Sequence, residues 1–267
     1  MAALIGKVAT RRPLVQNITN FVAMDISANV LLAVGASPAM VSAIEEVAEF
    51  VALADALAVN IGTLSRASLD SMLLAAKTAR VLGKPWVLDP VGVGATAFRN
   101  GAAAALLAHG PSIVRGNASE IMALARIAGA GGDAARPKGV DSGNTTAEAE
   151  QAAVALARLL DCTVAATGEI DFVTDGTRSA RIAGGSGLMA TVTGVGCALS
   201  ALAAAYAAVE TDSYVAACAA LQTYAIAGGM AGEQCEGPGS FRMIFLDMLN
   251  VVDREEFMLK ADFQPCA

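Results

Sequence analysis

LAVNIGTLSRASLDSMLLAAKTARVLGKPWVLDPVGVG, residues 57–94, places a short apolar run, a long helical run and a second apolar run in immediate succession. Leu57–Ile61 and Trp86–Asp89 are predicted strands and Ser65–Leu82 the helix between them, the pattern of a parallel βαβ unit. The same rhythm extends in both directions. Strands are predicted at Leu14–Gln16, Ala39–Val41, Ile113–Arg115 and Thr163–Thr167, with helices near Phe21–Val34, Ile44–Ala54, Gly101–His109, Ser119–Ile127 and Thr146–Leu160. Several strands are continuously apolar, as expected where helices cover both faces of a sheet. The fold class is therefore α/β with a mostly parallel central sheet.

After residue 170 the rhythm changes. Asp171–Thr174 and Arg178–Ile182 flank Asp175-Gly176-Thr177, a hairpin pattern. Ala-rich helices follow near Cys197–Val209 and Asp212–Met230, and a third helix near Arg242–Val252. Gly129–Asn144 is rich in Gly, Pro and Lys and is expected to be an exposed loop. No repeat or linker interrupts the chain, so residues 1–267 are expected to form a single domain.

Composition narrows the function classes. The net charge is −7 and no basic cluster exceeds Arg11-Arg12, which argues against a nucleic-acid partner. The five cysteines form an odd set without metal-type spacing, so neither a disulfide framework nor a zinc site is expected. Reduced cysteines and an N-terminus without a signal-peptide plan point to the cytoplasm. The uncharged stretch Val192–Val209 is expected to be a buried helix, with no membrane partner. Apolar residues reach 55%, an excess that hints at subunit contacts.

In open parallel sheets, ligands bind beyond the carboxyl ends of the strands. That edge collects Asn17 and Asn20, Asn60 to Thr63, Asp89 to Gly92, Arg115 to Asn117, and Thr167 to Glu169. Thr193-Gly194-Val195-Gly196-Cys197 stands at a helix start, where glycines let amides approach an anion. It is neither a Walker loop nor a dinucleotide fingerprint, and a plain tight turn is an equal reading of it alone. Asn117-Ala118-Ser119-Glu120 is either a capping box or, with Asp89, a carboxylate pair for Mg²⁺, and both readings can hold together. The only histidine, His109, ends a helix, which leaves histidine-dependent nucleophilic catalysis without a well-placed base.

Read in order, PLVQNITNFVAMDISANVLLAVGASPAM (13–40), LAVNIGTL (57–64), VLDPVGVGATAFR (87–99), VRGNASEI (114–121), KGVDSG (138–143), ATGEIDFVTDG (166–176), TVTGVGC (191–197) and GPGSF (237–241) resemble the hydroxyethylthiazole kinases of the ribokinase-like superfamily. The resemblance implies a three-layer α/β/α sandwich, ribokinase-like, and ATP-dependent phosphorylation of the hydroxyl of 4-methyl-5-(2-hydroxyethyl)thiazole in thiamine salvage. It also implies ATP and Mg²⁺ as cofactors and a homotrimer with active sites between subunits. By resemblance, Asn20, Met40 and Gly62 line the thiazole pocket, and Arg115, Asn117 and Thr167 contact ATP. Asp89 and Glu120 organise the metal, and Gly194, Val195, Gly196 and Cys197 form the anion hole.

Cys197 stands where the wider superfamily usually carries an Asp base. A thiol at a helix N-terminus is expected to have a stabilised thiolate, which suggests a positioning role with partial base character. The alternatives are a related kinase acting on hydroxymethylpyrimidine or a sugar, a dehydratase that repairs hydrated nicotinamide nucleotides, and a non-catalytic binding protein. Cys197 argues against the first two; Asp89, Glu120 and Arg115 argue against the third. Two positions depart from the family pattern. Gln16 replaces a frequent His, and Val195 replaces a small residue in the loop, which matters if that position takes positive φ.

Overall fold

The computed structural model describes residues 1–130 and 142–266. The strands are β1 (Leu14–Ile18), β2 (Ser37–Ala39), β3 (Ala56–Asn60), β4 (Trp86–Asp89), β5 (Ile113–Asn117), β6 (Thr163–Thr167), β7 (Asp171–Thr174), β8 (Ser179–Ala183) and β9 (Asp262–Cys266). The helices are α1 (Ala2–Arg11), α2 (Met24–Ala33), α3 (Val47–Leu53), α4 (Arg66–Leu82), α5 (Ala97–Leu107), α6 (Ala118–Ala128), α7 (Ser142–Leu160), α8 (Val195–Ala207), α9 (Ser213–Gly232), α10 (Pro238–Val251) and α11 (Arg254–Lys260). All strands join one sheet in the order β2-β1-β3-β4-β5-β6-β7-β8-β9. The pairs from β2 to β6 are parallel, and those from β6 to β9 are antiparallel.

Alternation along the strands divides the core in two. In β3, Ala56 and Ala58 face the layer of α1, α2 and α8–α11, while Leu57 and Val59 face the layer of α3–α7. Val87 and Leu88 of β4, and Ile113 and Val114 of β5, divide the same way. The result is the three-layer α/β/α sandwich. Small side chains on one face of β3, and on the matching face of α8, let the helix run close to the sheet, so backbone proximity replaces aromatic bulk. That close approach carries the N-terminus of α8 to the carboxyl edge.

The parallel elements follow the predicted rhythm, with bounds shifted by a few residues. β2 is the clearest displacement: it covers Ser37–Ala39 rather than Ala39–Val41, because its register is fixed by Leu14, Val15 and Gln16 of β1. β9, α1 and α11 were not anticipated. β9 is an amphipathic tail that pairs along β8, a long-range contact with no local sequence signal. α7 begins at Ser142, inside the segment expected to be a loop, and residues 131–141 of that segment lie outside the described residues. The hairpin forms as predicted: Asp175 accepts hydrogen bonds from the amides of Thr177 and Arg178, and Gly176 takes φ +89°. Among the described residues, α9 alone is long and apolar enough to cross a membrane, but 78% of its most apolar stretch is buried here, as in a core helix.

Candidate active site

Strand order reverses between β1 and β3, which makes a crevice at their carboxyl ends. Asn20, just beyond β1, and Asn60, the last residue of β3, meet across it. Asn20 Nδ2 donates to Asn60 Oδ1 at 2.8 Å and to Cys197 Sγ at 3.3 Å. Asn60 Nδ2 donates to Asp89 Oδ2 at 2.8 Å, and Ser200 Oγ donates to the same oxygen at 2.7 Å. One buried chain of polar groups therefore links the thiol of α8 to the carboxylate that ends β4.

Gly62 closes the Asn20 side. Its amide donates to Asn60 Oδ1 at 2.9 Å, and a Cβ there would lie 2.8 Å from Asn20 Cβ and Nδ2. Met40 follows β2 at the same edge and is half-buried. Arg99 ties the loops together: its guanidinium donates to the carbonyls of Ile61 (2.5 Å), Gly62 (2.7 Å) and Val91 (2.8 Å).

Arg115 occupies the other side. Nη1 donates to the Gly196 carbonyl at 2.9 Å, Nη2 to Thr167 Oγ1 at 2.6 Å, and Nη1 stands 3.7 Å from Asp89 Oδ2. Glu120 acts as the capping box: Oε2 accepts from the Asn117 amide and Asn117 Oδ1 accepts from the Glu120 amide, both at 2.9 Å. Its other oxygen accepts from the Gly92 amide at 2.9 Å, which pins the turn after β4. Beyond Arg115 an open cavity of about 1000 Å³ runs between the Thr167–Asp171 turn and the Gly184–Gly196 segment. A second cavity of about 760 Å³, between α7 and the β7–β9 edge, contains none of these residues.

The loop before α8 is shaped by one glycine. Gly194 takes φ +84°, whereas Val195 is the first helical residue, buried and without positive φ, so the β-branched side chain causes no strain. Ala198 donates back to the Gly194 carbonyl, while the amides of Gly196 and Cys197 have no acceptor among the described residues. Both N–H groups belong to the first turn of α8, and free amides at a helix start are the arrangement that binds oxyanions.

Electrostatics corrects one expectation. Burial, and then the nearby Asp89 carboxylate, raise the Cys197 thiol above its ordinary range, so the thiolate is disfavoured rather than stabilised. Asp89 is itself pushed up to about 6, chiefly by burial, against the opposing pull of Arg115 and Ser200. Asp171 is also raised to about 6 by burial, while its Oδ1 accepts from the Gly168 amide beside Thr167. Gln16 is a structural tie: Nε2 donates to the Val41 and Val47 carbonyls at 3.0 and 3.4 Å.

The structure gathers Asn20, Gly62, Asp89, Arg115, Asn117, Glu120, Thr167, Gly194, Gly196 and Cys197 around one edge, with Met40 beside them at the end of β2. Sequence reasoning left Asn60 without a role and missed Ser200 and Arg99. Ser200 had a usable signal, since it lies three residues beyond Cys197 and so on the same helical face.

The chain matches the model of the hydroxyethylthiazole kinase family over residues 5–255. It is 53% identical to the hydroxyethylthiazole kinase of Rhizobium johnstonii over 260 residues, covering 97% of this chain and 95% of that protein. Among solved structures, it is similar to the hydroxyethylthiazole kinase protein from Pyrococcus horikoshii OT3, with a TM-score of 0.92 and 39% identity, covering 100% of this chain and 98% of that one. The pyridoxal kinase of Staphylococcus aureus in complex with AMP-PCP and pyridoxal shares the fold, with a TM-score of 0.60 at 14% identity over 82% of this chain and 88% of that one.

Proposed function

Because the chain belongs to the hydroxyethylthiazole kinase family and so transfers a phosphoryl group from ATP to the alcohol of hydroxyethylthiazole, we propose how its own residues do so. The thiazole lies against Asn20, Met40 and Gly62, with its hydroxyl beside Cys197. ATP occupies the large cavity, its phosphates reaching Arg115, Thr167 and the Asn117 end of α6. The alcohol oxygen attacks the γ-phosphorus, the bond to the β–γ bridging oxygen breaks, and ADP leaves. The observation that carries this reading is the pair of unpartnered amides of Gly196 and Cys197, set between the Asn20–Cys197 contact and Arg115. Phosphoryl transfer demands positioning and charge neutralisation more than covalent chemistry, and such amides supply both.

The raised thiol makes Cys197 a spacer and hydrogen-bond acceptor, and the alcohol's proton passes to solvent. The residues fit Mg²⁺: Asp89 Oδ1 is buried without a partner among the described residues, whereas both Glu120 oxygens already accept amides. Asp89 would hold the ion, with Glu120 acting through water and by fixing the Gly92 turn, and phosphate oxygens would complete the shell. When bound, the ion neutralises phosphate charge. The chain forms a single domain, and we assign a homotrimer with sites between subunits. Phe21, 77% exposed, and Val22, 59% exposed, adjoin Asn20 at the site mouth and support it. Five free thiols fit the cytoplasm.

The decisive assay is ADP release from ATP and Mg²⁺ with hydroxyethylthiazole, hydroxymethylpyrimidine or ribose. Thiazole-dependent release is expected; release with another acceptor alone would overturn the acceptor assignment. Gly62→Ala is expected to raise the thiazole KM roughly tenfold, because its Cβ displaces Asn20, and to leave the ATP KM within about twofold. Equal changes in both would show that Gly62 does not border the acceptor pocket.

A further inference from the structure

The loop that opens α8 is held from behind by a residue of α9. Tyr224 is buried, its ring meets Phe245 edge-on at 4.8 Å, and its hydroxyl donates to the Val195 carbonyl at 2.6 Å. The Val195 carbonyl and the Gly196 N–H are opposite ends of one rigid peptide unit. A hydrogen bond at the carbonyl therefore fixes the direction of that N–H and increases its polarity. Arg115 does the same for the next peptide, since its Nη1 holds the Gly196 carbonyl and the other end of that unit is the Cys197 N–H. Both unpartnered amides thus have a side chain clamping the carbonyl behind them, one from β5 and one from α9.

We propose that Tyr224 is a positioning residue for phosphoryl transfer, its hydroxyl aiming the Gly196 amide through the Val195 carbonyl. This rests on the reading that Gly194–Cys197 faces the transferring phosphoryl group. Tyr224 borders the large cavity, yet its hydroxyl is spent on the backbone, so it acts through the loop and not on the substrate. Burial keeps the phenol protonated, so it stays a donor across the working pH range. An amide aimed at charge that develops during transfer contributes more to the transition state than to the bound substrates.

The comparison uses two Tyr→Phe variants. Tyr206 lies on α8, is equally buried, and shares a 2.8 Å hydrogen bond with Thr223 of α9, away from the loop. Tyr224→Phe keeps the ring and its contact with Phe245 but removes the clamp. Its kcat is expected to fall roughly tenfold, with both KM values within about twofold. Tyr206→Phe is expected to lower Tm by a similar amount and leave kcat unchanged. Rates are normalised to bound nucleotide, so partial unfolding reduces the number of sites and not kcat. A Tyr224→Phe kcat within twofold of the parent, or an equal loss in Tyr206→Phe, overturns the assignment. Gly194→Ala separates the two readings. If it also leaves kcat intact, the loop does not face the phosphoryl group; if it removes turnover while Tyr224→Phe does not, only the role of Tyr224 falls.

Discussion

Asp89→Asn should cut kcat on the order of a hundredfold while making the protein relatively more stable as pH rises. The amide is nearly isosteric, and its oxygen can still accept from Asn60 and Ser200 as Oδ2 does now. What disappears is the negative charge 3.7 Å from Arg115 and the unpartnered Oδ1 that suits a cation. Turnover therefore reports the charge and not the shape. The stability effect has the opposite sign. Burial raises the folded-state pKa to about 6 from the ordinary 3.8. The protonated form is thus favoured in the folded protein, and its contribution, complete below about pH 4, is lost as pH rises through about 6. Above that range the buried charge costs on the order of 3 kcal/mol. Asn carries no such cost, so the Tm of the variant relative to the parent should climb between about pH 4 and pH 7, measured without divalent cation. A kcat within tenfold of the parent, or a flat Tm difference, would contradict the role given to this carboxylate.

The same residue shows where sequence reading succeeds and where it stops. A carboxylate after an apolar strand is legible as a site candidate, because strand ends in parallel sheets gather ligand-binding groups. The parallel units were legible too, since alternating apolar runs and amphipathic helices are local patterns. β9 was not, because its pairing with β8 depends on residues some eighty positions away. Glu120 was legible as a capping residue, but its second bond, to the Gly92 amide, appears only when β4 and β5 lie side by side. The acidity of Cys197 went the wrong way for a related reason. A helix N-terminus is visible in sequence, whereas burial and the Asp89 charge that oppose it are properties of the assembled edge. Tyr224 sits in an Ala-rich helix buried on nearly all sides, so no periodicity distinguishes it from core.

Gly194→Ala carries the other large effect. The sequence raised positive φ in this loop only for Val195, and the structure assigns that conformation to Gly194 instead. Gly194 has φ +84°, and a Cβ there would lie 2.7 Å from Ile26 Cγ2 and 3.3 Å from Ala23 Cα. Gly196 has ordinary backbone, and an added Cβ would make only a 3.6 Å contact with Arg115. The Ala23 contact is backbone, at the start of α2, and Ile26 packs beneath it, so neither can yield without moving the helix that Asn20 introduces. An Ala at 194 must leave the left-handed region or push α8 away from α2. Either movement separates Cys197 from Asn20 and turns the Gly196 and Cys197 amides. Displacement of a reacting geometry by about 1 Å can cost a hundredfold, so kcat is expected to fall at least that far. Strain and clash together are expected to cost a few kcal/mol of stability. Gly101→Ala is the matched control: Gly101 lies inside α5 with open space around its Cα, so Ala should leave kcat unchanged and stabilise the fold by about 0.5–1 kcal/mol. A Gly194→Ala enzyme with parental kcat would mean that the amides at the head of α8 are not what holds the phosphoryl group in flight.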